Sequence, residues 1–348
     1  MSIPPTSIHT TSIPTTLPTR MTAIAVSAPG GPQVLRPTTA PVPHPAAGEV
    51  LIRVMAAGVN RPDVAQRQGV YPPPPGASPL LGLEVAGEVI ALGADVTLYR
   101  PGDRVCALTN GGGYAEYCTA PASQALPWPT GYDAVRAASL PETCFTVWAN
   151  LFMLGRLAAG ETALVHGGSS GIGVTAIQLA HALGARVLVT VGSQAKAEAC
   201  LALGADAAIN YREQDFAPAI KELTDGRGVD VVLDMVGAPY FARNLRALAM
   251  DGRLVQIAFL EGAKVENLDL MPIMLRRLTV TGSTMRPRTT AQKAVIAAEL
   301  RDHVWPLLDA GRCPPVIHAT FPLAEAAAAH AMMETSAHIG KIMLTVAP

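Results

Sequence analysis

Between Gly167 and Gly173 the chain reads GGSSGIG, preceded by the apolar run TALVH (162–166) and followed by VTAIQLA (174–180). Glycines between an apolar strand and an apolar helix suit the binding of a pyrophosphate. They let the backbone turn tightly and approach the ligand, while the helix start offers unpaired N–H donors and its positive dipole end to the phosphate charge. A turn packed for structural reasons alone is the other reading, and the strand before and helix after favour the dinucleotide site. The run fits two dinucleotide patterns at once: G-x-x-x-G-I-G from Gly167, or a degenerate G-x-G-x-x-G with Ser170 at the second glycine.

The first pattern resembles the short-chain dehydrogenases, which place the loop near the N-terminus and depend on a downstream Tyr-x-x-x-Lys. Here a long β-rich stretch comes first, and the tyrosines lack the lysine. Four positions beyond Tyr99, Tyr114, Tyr117, Tyr132, Tyr211 and Tyr240 stand Asp103, Cys118, Pro121, Arg136, Asp215 and Asn244, and prolines follow Tyr71. The second pattern remains. A site selective for NAD carries Asp or Glu about 20 residues past the loop to hold the ribose 2′-hydroxyl. Gly192 and Ser193 occupy that place, with Lys196 close behind. A carboxylate would repel a 2′-phosphate, whereas a hydroxyl and an ammonium would hold one by charge-assisted hydrogen bonds, so NADPH is expected.

The elements that must carry this loop follow from texture. Residues 21 to about 129 contain short β-branched runs (MTAIAV, EVLIRVMAAGV, EVAGEVIALG, RVCALT) separated by Pro and Gly clusters, the pattern of a small all-β module. The prolines of YPPPPG (71–76) lack backbone donors and predict a surface loop. After Pro141 strands and helices alternate through ALVHGG, RVLVTVG, AAINY, VDVVLDMVG, RLVQIA and LTVTGS, which predicts an α/β domain with a parallel sheet. From about Pro287 the spacing predicts a helix KAVIAAELRDHVWPLLDAG, an Ala-rich helix LAEAAAAHAMME and a last strand KIMLTV.

Bulk properties limit the partners. A chain of 348 residues suggests two domains, and 49% hydrophobic against 15% charged residues excludes global disorder. With a net charge of −1 and no basic stripe, nucleic acid and anionic membranes are not expected partners. No apolar run approaches the roughly 20 residues of a membrane-spanning helix. The 5 scattered cysteines form no C-x-x-C pair, and a reducing, cytoplasmic setting is expected. Residues 1–20, rich in Ser, Thr and Pro with Arg20 alone charged, predict a disordered extension, with Met21 opening the folded part.

From Met21 to Ala347 the sequence resembles the zinc-free quinone oxidoreductase branch of the medium-chain dehydrogenase/reductase superfamily, in particular its p53-inducible, zeta-crystallin-related subfamily. The stretches carrying the resemblance are GVNRPDVAQRQGVYPPPPGAS (58–78), LLGLEVAGEV (80–89), GDRVCAL, GGGYAEY, the glycine loop, VGSQAK (191–196), INY (209–211) and IGKIML (339–344). The resemblance implies a GroES-like β-barrel catalytic domain (21–144 and 287–348) with an α/β Rossmann domain (145–286) inserted in it. It implies Ser193, Lys196 and Tyr211 at the 2′-phosphate and Gly171 and Ile172 at the pyrophosphate. Asn60, Thr146, Val236, Phe259, Leu260, Thr284, Met285 and Lys341 would line the rest of the cofactor site.

Zinc enzymes of that superfamily carry cysteine where this chain has Asn60 and histidine where it has Leu83. Glu84 alone cannot make a tetrahedral zinc site, so a metal-free reductase is expected. A quinone accepts hydride to give an aromatic, stabilised anion and needs only positioning and exclusion of water. Asn60 and Tyr71 are the candidate catalytic hydrogen-bond donors. Reduction of an enone or enal C=C bond is the alternative activity, and a non-enzymatic, NADPH-binding, crystallin-like role is the third. A homodimer is expected through the edge strand LTVTGS (278–283).

Overall fold

The computed structural model describes residues 17–346. Most of the N-terminal extension, residues 1–16, lies outside that range. Within it Leu17 packs against a cluster containing Met21 and Leu51, and Arg20 donates from Nη2 to the Thr39 carbonyl at 3.0 Å.

Strands β1 (Arg20–Val26) and β2 (Leu35–Pro41) form an antiparallel pair. Next come β3 (Glu49–Val59), β4 (Glu84–Leu92), β5 (Arg104–Leu108), β6 (Tyr117–Pro121) and β7 (Ala125–Pro127). Val50, Leu51, Ile52, Val54 and Val59 make β3 apolar on both faces. It takes the centre, pairing antiparallel with β4 and β6.

The alternating region gives β8 (Thr162–His166), β9 (Arg186–Val191), β10 (Ala207–Asn210), β11 (Val229–Asp234), β12 (Leu248–Gln256) and β13 (Thr279–Gly282). All pairings among them are parallel, in the order β10-β9-β8-β11-β12-β13. The order reverses between β8 and β11, so the crevice at the carboxyl end of β8 is where a Rossmann sheet binds its ligand. The helices Gly171–Ala182, Gln194–Ala202, Phe216–Leu223 and Ala238–Ala247 connect these strands, which explains why β8 and β11 are buried at every position.

The chain then returns. Strands β14 (Ile317–Pro322) and β15 (Lys341–Thr345) pair with each other, and β15 pairs with β3, completing a 7-stranded sheet with the N-terminal strands. One local feature differs from the sequence expectation. The single helix expected over 293–311 is broken into Thr290–His303 and Trp305–Asp309, because Pro306 has no N–H to donate and its ring clashes with the preceding turn. The helix Pro141–Val147 widens into a π-turn over Trp148–Leu154.

Candidate functional site

The glycine loop follows β8 directly. Ser170 caps the next helix by accepting from the Gly173 N–H at 3.0 Å. A Cβ at Gly173 would drive into the Gly167 and Gly168 carbonyls, so this turn can seat against the helix only with glycine there. The first-turn N–H groups of Gly171 and Ile172 have no intrahelical acceptor and border a cleft of about 460 Å³. Lys196, Tyr211, Val236, Leu260 and Lys341 line the same cleft. The Gly340 N–H donates to the Ser169 carbonyl at 2.8 Å, pinning the C-terminal return onto the loop.

At the end of β9 the Ser193 hydroxyl accepts from the Lys196 N–H at 3.4 Å and caps the helix Gln194–Ala202. Lys196 Nζ donates to the Ser336 carbonyl at 2.5 Å, and burial, then the neighbouring Arg212, lower its pKa. Arg212 was missed in the sequence, although it adjoins Tyr211 in the INYR run. With two cations and no carboxylate at Gly192 and Ser193, this end fits a dinucleotide carrying a 2′-phosphate.

A buried polar cluster forms behind the loop, and strand register explains it. Val59 pairs with Ile342, and Ala57 with Val85, so Asn60, Lys341 and Glu84, each one position from a paired residue, converge. Lys341 Nζ lies 2.6 Å from Glu84 Oε1 and donates to Asn60 Oδ1 at 2.5 Å and to the Val59 carbonyl at 3.3 Å. Asn60 Nδ2 donates to Glu84 Oε1 at 2.9 Å. Gly58 makes room for this: a Cβ there would strike the Glu84 carboxylate. Asp63 accepts from the N–H groups of Asn60 (2.9 Å) and Gly82 (3.0 Å), and burial pushes its pKa up to about 6.

These residues do not fit zinc. Leu83 offers no donor atom, and the Lys341 ammonium stands beside the one carboxylate a cation would use. Among the described residues no group of three His, Cys, Asp or Glu side chains is arranged to hold a metal ion. Asn60 lines the glycine-loop cleft, and Lys341 and Glu84 engage both ends of its amide, leaving one Nδ2 hydrogen for a ligand.

A second cavity of about 460 Å³ adjoins the first, with Arg61 and Leu260 in both walls. Tyr71 lies here, as do Thr146, Phe259, Thr284 and Met285, which the resemblance implies along the cofactor. Leu83, Leu108, Ile257 and Met285 make much of the wall apolar, whereas Asn110, Glu142, Arg286 and Lys293 make one part polar. The Arg286 guanidinium lies 5.6 Å from the Tyr71 ring centroid and donates from Nη2 to the Asn110 carbonyl at 2.6 Å. The Tyr71 hydroxyl makes no hydrogen bond among the described residues, and burial, then Glu142, raises its pKa. Lys293 Nζ donates to Asn110 Oδ1 at 2.6 Å and to the Arg286 carbonyl at 3.2 Å, and burial lowers it to about 8.

Sequence reasoning missed Glu142, Lys293, Arg286 and Asn110. For Glu142 a signal existed: it is the lone charge in SLPETCFTVWANLFML (139–154).

Comparison with known proteins agrees with this architecture. Residues 46–130 match the family model described as alcohol dehydrogenase GroES-like domain, and residues 171–299 match the one described as zinc-binding dehydrogenase. Quinone oxidoreductase of Rattus norvegicus is 32% identical over 327 residues, covering 93% of this chain and 97% of that protein. Phthioceranic/hydroxyphthioceranic acid synthase of Mycobacterium bovis is 34% identical over 305 residues, 87% of this chain but 14% of that enzyme. The crystal structure of Escherichia coli quinone oxidoreductase complexed with NADPH superimposes with a TM-score of 0.79 at 31% identity, covering 94% of this chain and 99% of that one.

Proposed function

Because the chain belongs to the quinone oxidoreductase branch of the medium-chain dehydrogenase/reductase superfamily, we propose that it is an NADPH-dependent reductase that delivers hydride to a quinone without a metal ion. One observation carries the reading: the mostly apolar cavity around Tyr71 adjoins the glycine-loop cleft, and Lys341 and Glu84 are paired where a catalytic zinc would need free donors. NADPH, as held by the Escherichia coli relative, would supply the hydride. The residues named above would hold it, with Gly171 and Ile172 at the pyrophosphate and Lys196, Tyr211 and Ser193 at the 2′-phosphate.

The chain's own groups then have limited tasks. Leu83, Leu108 and Met285 exclude water from an acceptor ring, and the free Tyr71 hydroxyl donates to an acceptor oxygen. Asn60, tied to Glu84 and Lys341, acts as a rigid positioning residue with one N–H to spare. The 5 cysteines are buried and unpaired, which fits a reducing cytoplasm. Two copies are expected to pair through β13.

An enone or enal is the second reading, favoured by the titratable groups in the polar part of the second cavity. Hydride addition to a conjugated C=C bond leaves a basic enolate that needs a proton, whereas a hydroquinone anion is stabilised by its ring. NADPH oxidation against a panel of ortho-quinones and alkenals, with and without a chelator, tests both readings. Turnover of quinones that survives the chelator is expected, and consumption of neither class would overturn the proposal.

A further inference from the structure

Glu142 has no task in that scheme, yet its placement is unusual. Its backbone N–H donates to Glu84 Oε2 at 2.8 Å, which fixes the start of the helix Pro141–Val147. Its carboxyl borders the second cavity and makes no hydrogen bond or ion pair among the described residues. The cations that could pair with it are committed elsewhere: Lys341 to Glu84 and Asn60, Lys293 to Asn110 and the Arg286 carbonyl, and Arg286 to the Asn110 carbonyl.

Resting on the hydride-transfer reading above, we propose that Glu142 is the proton donor of this cavity, protonating the substrate atom that hydride transfer leaves electron-rich. The balance is that of a two-electron reduction with NADPH as reductant. Hydride forms a C–H bond at the β-carbon of an enone, and the displaced π pair moves to the α-carbon and its carbonyl oxygen. The Glu142 O–H bond breaks, its electron pair stays on the carboxylate, and the proton forms the new C–H or O–H bond. Solvent entering the open cavity restores the acid. A quinone needs the same proton on its phenolate oxygen, less urgently.

The groups facing Glu142 suit both halves of this cycle. Burial, then Glu84, with Asp63 adding, pushes its pKa up to about 8, so the acid form is present at neutral pH. Lys341, Lys293 and Arg286 favour the carboxylate left behind. The other candidates are weaker. Tyr71 is raised above the ordinary phenol range, and Lys293 is fully buried with two of its three N–H groups engaged.

The test is a pH–rate profile with an alkenal for the wild type, Glu142→Gln and Glu142→Asp. In the wild type kcat should fall as pH rises through about 8. Glu142→Gln should lose that ionisation and about 100-fold in kcat with KM for NADPH unchanged, and Glu142→Asp should recover part of the rate. Infrared difference titration of the cofactor-free protein gives a readout independent of turnover: a protonated-carboxyl band that fades near pH 8 in the wild type and is missing in Glu142→Gln. Wild-type turnover with an unchanged profile in Glu142→Gln would overturn this proposal alone, as would a titrating band that survives the substitution. No wild-type turnover of either acceptor class would overturn the hydride-transfer reading and this proposal with it.

Discussion

Lys341 and Glu84 form an ion pair at 2.6 Å with 5% and 0% of their side chains exposed, joining the last strand of the chain to the start of β4. The pair closes a sheet built from both ends of the chain, beside the glycine loop. Breaking a buried pair by removing one partner strands the other charge in a low-dielectric site, at a cost of roughly 3–5 kcal/mol. Lys341→Met should therefore lower the urea midpoint sharply. Glu84→Gln with Lys341→Met should lose less than the two single losses combined, because no unpaired charge remains. Additive losses in a double-mutant cycle would show that the two side chains do not act as a pair.

Lys196 is the cation at the end of β9 whose ammonium reaches across to Ser336. A charge-assisted hydrogen bond to a 2′-phosphate contributes roughly 1.5–3 kcal/mol. Lys196→Ala should weaken NADPH binding by roughly ten- to a hundred-fold and leave NADH binding nearly unchanged, as read by fluorescence titration. Equal losses for both cofactors would place Lys196 away from the phosphate.

How far these sites were legible depends on the range of the interactions that build them. The glycine loop was readable because strand, turn and helix start are local, and Gly167 to Gly173 carry their own geometry. The return of the C-terminus was readable only through the resemblance, since nothing in KIMLTV announces that it will pair with EVLIRVMAAGV. The Lys341–Asn60 contact follows from that register and so was invisible to local pattern. Thr146 and Thr284, implied along the cofactor by the resemblance, line the cavity that adjoins the glycine-loop cleft. Glu142, although the lone charge in its stretch, was passed over, and its role follows only from the Glu84 and Lys293 that the fold brings around it.

His330 sets one pH response. It is buried beside Tyr114 Oη at 3.0 Å, and burial, then Arg67, pushes its pKa down to about 3. The folded state thus keeps it neutral, while the unfolded imidazole binds a proton below its ordinary value of about 6.5. Its contribution to stability is full above pH 6.5 and is lost progressively as pH falls toward 3. His338, pushed down to about 4, acts in the same sense. Asp63, raised to about 6, acts oppositely, since its folded form takes up a proton first and stability gains as pH falls from 6 toward 4. Glu142, raised to about 8, acts in the same sense as Asp63, so the net slope is shared among these groups and the test is comparative: as pH drops below 6.5, His330→Gln should lose less stability than the wild type, read from the difference between their urea midpoints. An identical slope in the variant would remove His330 as a cause.

The edge of the parallel sheet gives the last test. β13 pairs with β12 on one side only, and its outer side has no partner among the described residues. Val280 on that strand is 39% exposed, and the preceding helix Met271–Leu275 exposes Met274 at 65% and Leu275 at 62%. An unpaired strand edge flanked by exposed apolar side chains is a template for another strand, and a two-fold axis lets one patch serve both copies. Edge-to-edge pairing would satisfy the free backbone groups and cover Met274 and Leu275 together. The wild type should then scatter light with about twice the 36.2 kDa mass of one chain. Met274→Glu with Val280→Lys places two charges on the patch, at residues that line neither cavity, and should yield a monomer that keeps its NADPH affinity. A wild-type mass of one chain, or a dimer indifferent to both substitutions, would mean that this edge is not the interface.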